Sequence, residues 1–216
     1  MTAVNLSSFP YYNDYDPDKG FHQIAFIPGR PIQARELTQM QSILQEQVKR
    51  IGKHFFKNGS VIIPGNTYYD NKVYAIRLAQ TNSLGVQTDS FVTTLIGKRL
   101  KNTSGTTAYV SHAEISNTTS SVFTPSILYV KFVDGGTNGK LEFYSGDVLT
   151  DIDNPGITST VTSTYNPTTA ASLVSISEGV YYANGYFVQV LAQSIPLSSS
   201  TNKPSVQVGL IVNESI

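Results

Sequence analysis

The chain has 216 residues, enough to bury one sizeable core or two small ones, and its 15 Lys+Arg balance 15 Asp+Glu to a formal net charge of zero. That balance gives no broad electrostatic case for nucleic acid or an anionic membrane. Cysteine is absent, which excludes a disulfide framework, a thiolate metal site and a Cys nucleophile.

Residues 1–20 lack a basic start followed by an apolar run, so no secretory signal is read there, and no apolar run approaches the length of a membrane span. Charged residues are only 14% of the chain, so the polar surface comes from Ser, Thr, Asn, Gln and Tyr. Such a surface wets well, repels little and suits many copies packed together. The chain is expected to be cytosolic at synthesis.

Residues 1–30 read as an extended N-terminal arm, because Pro10 and Pro17 block regular structure in a polar, turn-rich stretch. Tyr11, Tyr12 and Tyr15 are candidate anchors on a neighbouring surface, since tyrosine offers apolar area with a polar tip; tucking onto their own domain is the alternative. A single long helix is predicted over 31–58. Pro31 suits its first position and Asn58-Gly59 its stop.

Leu37, Met40, Leu44, Val48, Ile51 and Phe55 recur at gaps of three and four, with Ile43 beside them, and so share one helix face. Gln39, Gln41, Gln45, Glu46, Lys49 and Arg50 are assigned to the opposite face. The apolar seam has two possible partners, the chain's own sheet or copies of the same helix in a short parallel bundle. Arg30, Arg35 and Glu36 stand at the helix entrance. There Arg35 and Glu36 are candidates for ion pairs between subunits, and Glu36 alternatively favours the helix N-terminus.

Beyond the helix the chain reads as β. Strands are predicted at 60–64 and 72–78 around a turn at 66–71. A block at 86–150 follows, with strands at 91–96, 106–114, 127–133, 141–144 and 147–149 and a turn at 117–121 among its breaks. Its spacing predicts a small antiparallel barrel or sandwich inserted into a mixed β domain made of 59–85 and 172–216. The Ser/Thr/Pro-rich stretch 151–171 reads as an irregular connection. Strands at 172–176, 179–182, 186–191 and 206–212 close the chain, the second and third joined at Asn184-Gly185, a strong hairpin signal. The fold class is therefore mainly β with one long amphipathic α-helix. The strand-like end at VQVGLIVNESI is read as the front portion of a longer protein.

Chemistry is sparse. Asp14, Asp16 and Asp18 begin an EF-hand-like spacing, but Lys19 stands where glycine is needed and Ala25 where the bidentate Glu belongs. His22, His54 and His112 show no ligand spacing. The acids Asp147, Asp151, Asp153 and Glu178 lie in turns, where carboxylates are normally solvated. Lys49, Arg50, Lys53 and Lys57 form a basic stripe too small to bind nucleic acid. No catalytic, cofactor-binding or metal-binding residue is assigned, and the chain is not expected to be an enzyme. Tyr68, Tyr69, Tyr181, Tyr182 and Tyr186 are the stacking platforms that a glycan-binding module would use.

The segment FIPGRPIQARELTQMQ, residues 26–41, resembles the N-terminal "PGR-x-hydrophobic-QARELTQLQ" signature of a family of tailed-bacteriophage virion proteins, with Met40 in place of Leu. The continuations Ile43–Gln47 and Phe56–Val61 fit as well, and Glu178–Tyr182 with Asn184–Val188 resembles the family's second block. Val208–Leu210 and Glu214-Ser215 fit its next strand. The resemblance covers roughly 9–78 and 172–216. It implies a structural virion protein of a tail fibre or baseplate, found in the virion tail, concerned with host attachment and assembled in host cytoplasm. Copies of itself, as a homotrimer, and adjoining tail or baseplate proteins are the expected partners; nucleic acid and membrane insertion are not. A baseplate or neck adaptor whose helix packs on its own sheet is the structural alternative.

Overall fold

The computed structural model describes residues 6–117 and 124–213. Most of the turn expected at 117–121, the Glu214-Ser215 match and the first five residues of the arm lie outside them. The described chain is mainly β and divides into two compact units. One comprises Met1–Asn66, Ser177–Ala192 and Val208–Ile216, the other Thr67–Ile176 and Gln193–Gln207.

The first unit holds the α-helix α1 (Ala34–Phe55) and a three-stranded antiparallel sheet of β1 (Val61–Ile63), β9 (Gly179–Ala183) and β10 (Tyr186–Val190), with β9 central. The helix starts later than Pro31 because Gln33 stays extended and its N–H is taken by the Glu36 carboxylate at 3.1 Å. It ends at Phe55, where Phe56 turns extended and its N–H still reaches Gly52 O. The β9–β10 turn places both Asn184 and Gly185 at positive φ, the two-residue geometry the Asn-Gly pair predicts.

The second unit is an eight-stranded, curled antiparallel sheet. Its strands are β2 (Thr67–Arg77), β3 (Arg99–Lys101), β4 (Thr106–Glu114), β5 (Ile127–Gly135), β6 (Val148–Asp151), β7 (Thr158–Thr160), β8 (Thr168–Ile176) and β11 (Gln193–Ser198). They lie in the order β11-β8-β2-β5-β4-β3-β6-β7. The curl returns on itself: Leu78, just past β2, bridges Val161, just past β7. Ala79 N donates to Thr160 O at 2.8 Å and Thr162 N to Arg77 O at 2.9 Å.

Alternation along the strands sorts the apolar residues into two clusters. Ile76, Leu78, Leu100, Val110, Leu128, Val130 and Leu149 belong to a core completed by Val92, Leu95 and Phe143. Val73, Ala75, Ile127, Tyr129, Ala171 and Leu173 form the second. The edge left open is β11, which carries Pro196, a residue that blunts edge-to-edge pairing.

Several strands differ from expectation for identifiable reasons. The turn expected at 66–71 is strand, because Tyr68 and Tyr69 pair with Ser175 and Val174 of β8 and a register shift between Asp70 and Val73 absorbs the polar residues. Residues 91–96 form 3₁₀ turns in which Val92 and Leu95, three apart, both point into the core. Residues 141–144 are irregular, the 151–171 connection contains β7, and β3 and β11 are further strands.

No strand forms at 206–212. The chain ahead of it is held at the sheet by side chains that donate to its carbonyls: Tyr69 to Asn202 O, Arg77 and Thr169 to Ser199 O, and Ser172 to Thr201 O. The unit also takes in β2 and β8, on either side of the 86–150 block, because these two strands pair along nearly their whole length.

Asp89 ties the segment after β2 to residues on both sides of 118–123. It accepts from Ser116 N at 3.1 Å and from the hydroxyls of Ser116 and Ser126. Burial opposes its ionisation, but these hydrogen bonds outweigh burial and hold the carboxyl below its ordinary value of 3.8. A depressed folded pKa means stability that is present above the unfolded value and lost as pH falls through the folded one. Asp89→Asn is therefore expected to be less stable than wild type at neutral pH. Urea titrations should show the gap closing below about pH 4; an unchanged gap would mean that the charge of Asp89 contributes nothing.

Candidate functional site: the three faces of the helix

Helix α1 divides its circumference among three neighbours. One face carries Gln39, Ser42, Ile43, Glu46 and Arg50 and is covered by the N-terminal arm. Asn13 Nδ2 donates to Ser42 Oγ at 2.7 Å, Gln39 Nε2 donates to the Asp14 carboxylate, and Arg50 Nη2 lies 3.5 Å from Pro17 O. Ile43, beside the apolar seam in the sequence, is 4% exposed. Glu46 is also paired within the helix with Lys49 and Arg50.

A second face meets the β9–β10 hairpin through Gly52 and Lys49. A β-carbon at Gly52 would fall 2.6 Å from the Tyr182 ring, and one at Gly185 would fall 2.5 Å from Lys49 Cγ. Tyr182 is fully buried, donates its hydroxyl to Lys49 O at 3.2 Å, and packs at a tilt against Phe56 and Phe187 at centroid distances of 5.6 Å each. Below the helix, Gly59 N donates to Tyr182 O and Asn184 N to Asn58 Oδ1, both at 2.8 Å. The hairpin therefore grips both the last turns of the helix and the segment that leaves it.

The third face is the apolar one, and it faces solvent. Leu37, Met40, Leu44, Val48, Ile51 and Phe55 are between 38 and 70% exposed. An amphipathic helix normally buries this face. Here the chain's own elements cover the polar and small-residue faces instead. Gln41 also belongs to the exposed stripe, a correction to its assignment to the opposite face: it lies four residues after Leu37, three before Leu44 and seven before Val48, and is itself exposed.

The other expected site residues are distributed as follows. Tyr11 and Tyr12 are exposed and Tyr15 is half-buried, on an arm that runs along its own helix. Glu36 is engaged in capping α1, whereas Arg30 and Arg35 are exposed and make no ion pair among the described residues. Asp16 caps a 3₁₀ turn at Pro17–Lys19. Asp147 accepts from Asn102 Nδ2 and Tyr144 N, Asp151 is fully buried on β6, Asp153 lies 3.9 Å from Arg99, and Glu178 accepts from Gln189.

His112 packs on Tyr129, and its pKa is lowered by burial against the opposing influence of Glu114. Tyr129 donates to Glu114 Oε2, and burial with that bond pushes its hydroxyl well up. Among the described residues no group of three or more His, Cys, Asp or Glu is placed to hold a metal. Among the same residues no helix is long and apolar enough to cross a membrane. Of the proposed stacking tyrosines, Tyr182 is buried and unable to serve as a platform, while Tyr68, Tyr69 and Tyr186 are exposed.

A family model described as a domain of unknown function, DUF4815, matches residues 10–114, just under half of the chain. The matched span begins in the arm, contains the whole of α1 and ends with β4. No curated protein and no solved structure shows a significant match.

The contact between Gly52 and Tyr182 is tight enough to test alone. Gly52→Val would drive two methyl groups into the ring, an overpacking expected to cost about 1–3 kcal/mol. Limited proteolysis should then cut at the Asn184-Gly185 turn faster than in wild type. Equal cutting rates would show that Tyr182 does not hold the hairpin to the helix.

Proposed function

We propose that this chain is a structural component of a phage tail: the virion-attaching N-terminal part of a tail fibre or baseplate protein, assembled as a homotrimer through α1. The observation that carries this reading is the exposed apolar stripe on a helix whose other faces are already occupied by its own chain. The resemblance of residues 26–41 to the virion-protein signature supports a location in the tail. In this reading α1 works as a long amphipathic helix, and the 86–150 block is a small antiparallel barrel or sandwich within the β domain. The exposed Tyr11 and Tyr12 on the arm meet adjoining tail components.

The size of the stripe supports association. A 22-residue helix is about 33 Å long, so a stripe on the order of 10 Å wide covers roughly 300 Å², comparable with the largest apolar patch on an ordinary monomer, which is often functional. Each half-exposed side chain would gain roughly 1 kcal/mol on burial, and six of them recur in every copy.

Sedimentation equilibrium of the purified chain at two concentrations tests the proposal. A threefold mass is expected, falling to the monomer mass in Leu44→Asp with the β signature in circular dichroism retained. A monomeric wild type would overturn the trimer and favour a single-copy baseplate or neck adaptor, whose helix packs on the arm and sheet of its own chain.

A further inference from the structure

We infer that Gln41 sets the alignment of the assembled helices, holding them parallel and in register through a layer of amides that hydrogen-bond to one another. The inference rests on the assembly proposed above and names the geometry of its interface. Gln41 is the exposed polar residue at the edge of the stripe: Leu37 and Leu44 lie one turn to either side and Val48 follows at seven residues, whereas Gln47, which stands in the same relation to Met40, Leu44 and Ile51 on the other edge, is half-buried. A lone polar side chain in an apolar helical seam lowers affinity while choosing register, because its donors and acceptor must find partners once water is excluded.

No charged residue along the stripe makes that choice. The positions bordering it are Thr38, Gln45 and Gly52 on one side, with Glu36, Gln47 and His54 on the other, and the charge among them, Glu36, is taken up in capping α1. Charge pairs between copies, the usual selectors of direction, are therefore missing from the borders. The nearby charges are committed elsewhere: Glu46 pairs within the helix with Lys49 and Arg50, and Glu36 caps α1. Gly52 on the border is already filled by the Tyr182 ring of its own chain.

Parallel and antiparallel arrangements differ sharply at this residue. With the helices parallel and in register, each Gln41 meets Gln41 of another copy, and every amide offers a donor to a neighbour's oxygen. With antiparallel helices centred on the same stripe, Gln41 would face Ile51 and its amide would be buried without a partner. A shift by one heptad in either direction sets it against a residue such as Val48, with the same consequence.

Because the chain has no cysteine, single-cysteine variants report the alignment directly. Gln41→Cys is expected to form disulfide-linked pairs under mild oxidation. An antiparallel arrangement would leave the two sulfurs' residues about 15 Å apart along the axis, beyond the reach of about 7 Å between α-carbons. Leu37→Cys with Gln41 retained should also link to itself. Adding Gln41→Leu to that variant should cut its self-linking several-fold as other alignments become populated.

Sedimentation separates the two ways of failing. A monomeric wild type would sink the assembly and this inference together. An assembly of the expected mass whose Gln41→Cys and Leu37→Cys variants do not link would overturn the parallel alignment alone. Unchanged linking of Leu37→Cys after Gln41→Leu would show that Gln41 does not choose it.

Discussion

The contact on which the helix unit depends is the packing of the Tyr182 ring against the bare backbone of Gly52. Any side chain at 52 would push the hairpin off the helix, and any smaller residue at 182 would leave the ring's place empty. That contact fixes the rotation of α1 about its own axis. With Gly52 turned to the hairpin and Ile43 turned to the arm, the Leu37–Phe55 stripe has only one direction left. The exposure of the apolar face thus follows from steric fit at a glycine, with no need for that face to avoid its own sheet.

The second unit solves a different problem, how to bury a core with short strands. Curling brings the end of β7 back to the end of β2, which removes one edge and encloses Leu128, Val130, Leu100 and Leu149. The strands at the other end, β8 and β11, lie outside that closure, and the side chains of Tyr69, Arg77 and Thr169 use the carbonyls that follow β11 as acceptors. Polar side chains thereby satisfy backbone groups that a further strand would otherwise have paired.

Local signals made some of this legible in the sequence. The helix was visible from its three-and-four spacing, the β9–β10 hairpin from Asn184-Gly185, and β4 and β5 from dense apolar runs. What stayed hidden depended on partners distant in sequence. Tyr68–Asp70 look like turn residues until β8 is beside them, and Arg99–Lys101 has too few residues to show a period. Val92 and Leu95 read as strand because inward apolar residues look alike at short range, whether spaced by two or by three.

The helix face was half legible. Its apolar seam could be read from periodicity, but chemical type placed Gln41 among the polar residues although its position puts it in the seam. The role of Gly52 was unreadable for a simpler reason. A glycine near a helix end resembles a weak last turn, and only the ring of Tyr182, far along the chain, shows what the missing side chain leaves room for.

The chain passes between its two units four times, since the helix unit is completed by Ser177–Ala192 and the sheet unit by Gln193–Gln207. Neither unit is a cassette that can be lifted out as one stretch. A recombination junction anywhere between residues 67 and 176 would part α1 from the hairpin that orients it, even if every residue of the helix were kept. Descent with exchange of parts is therefore constrained here to crossovers outside the whole interleaved span. The helix and its distant tyrosine must be inherited together.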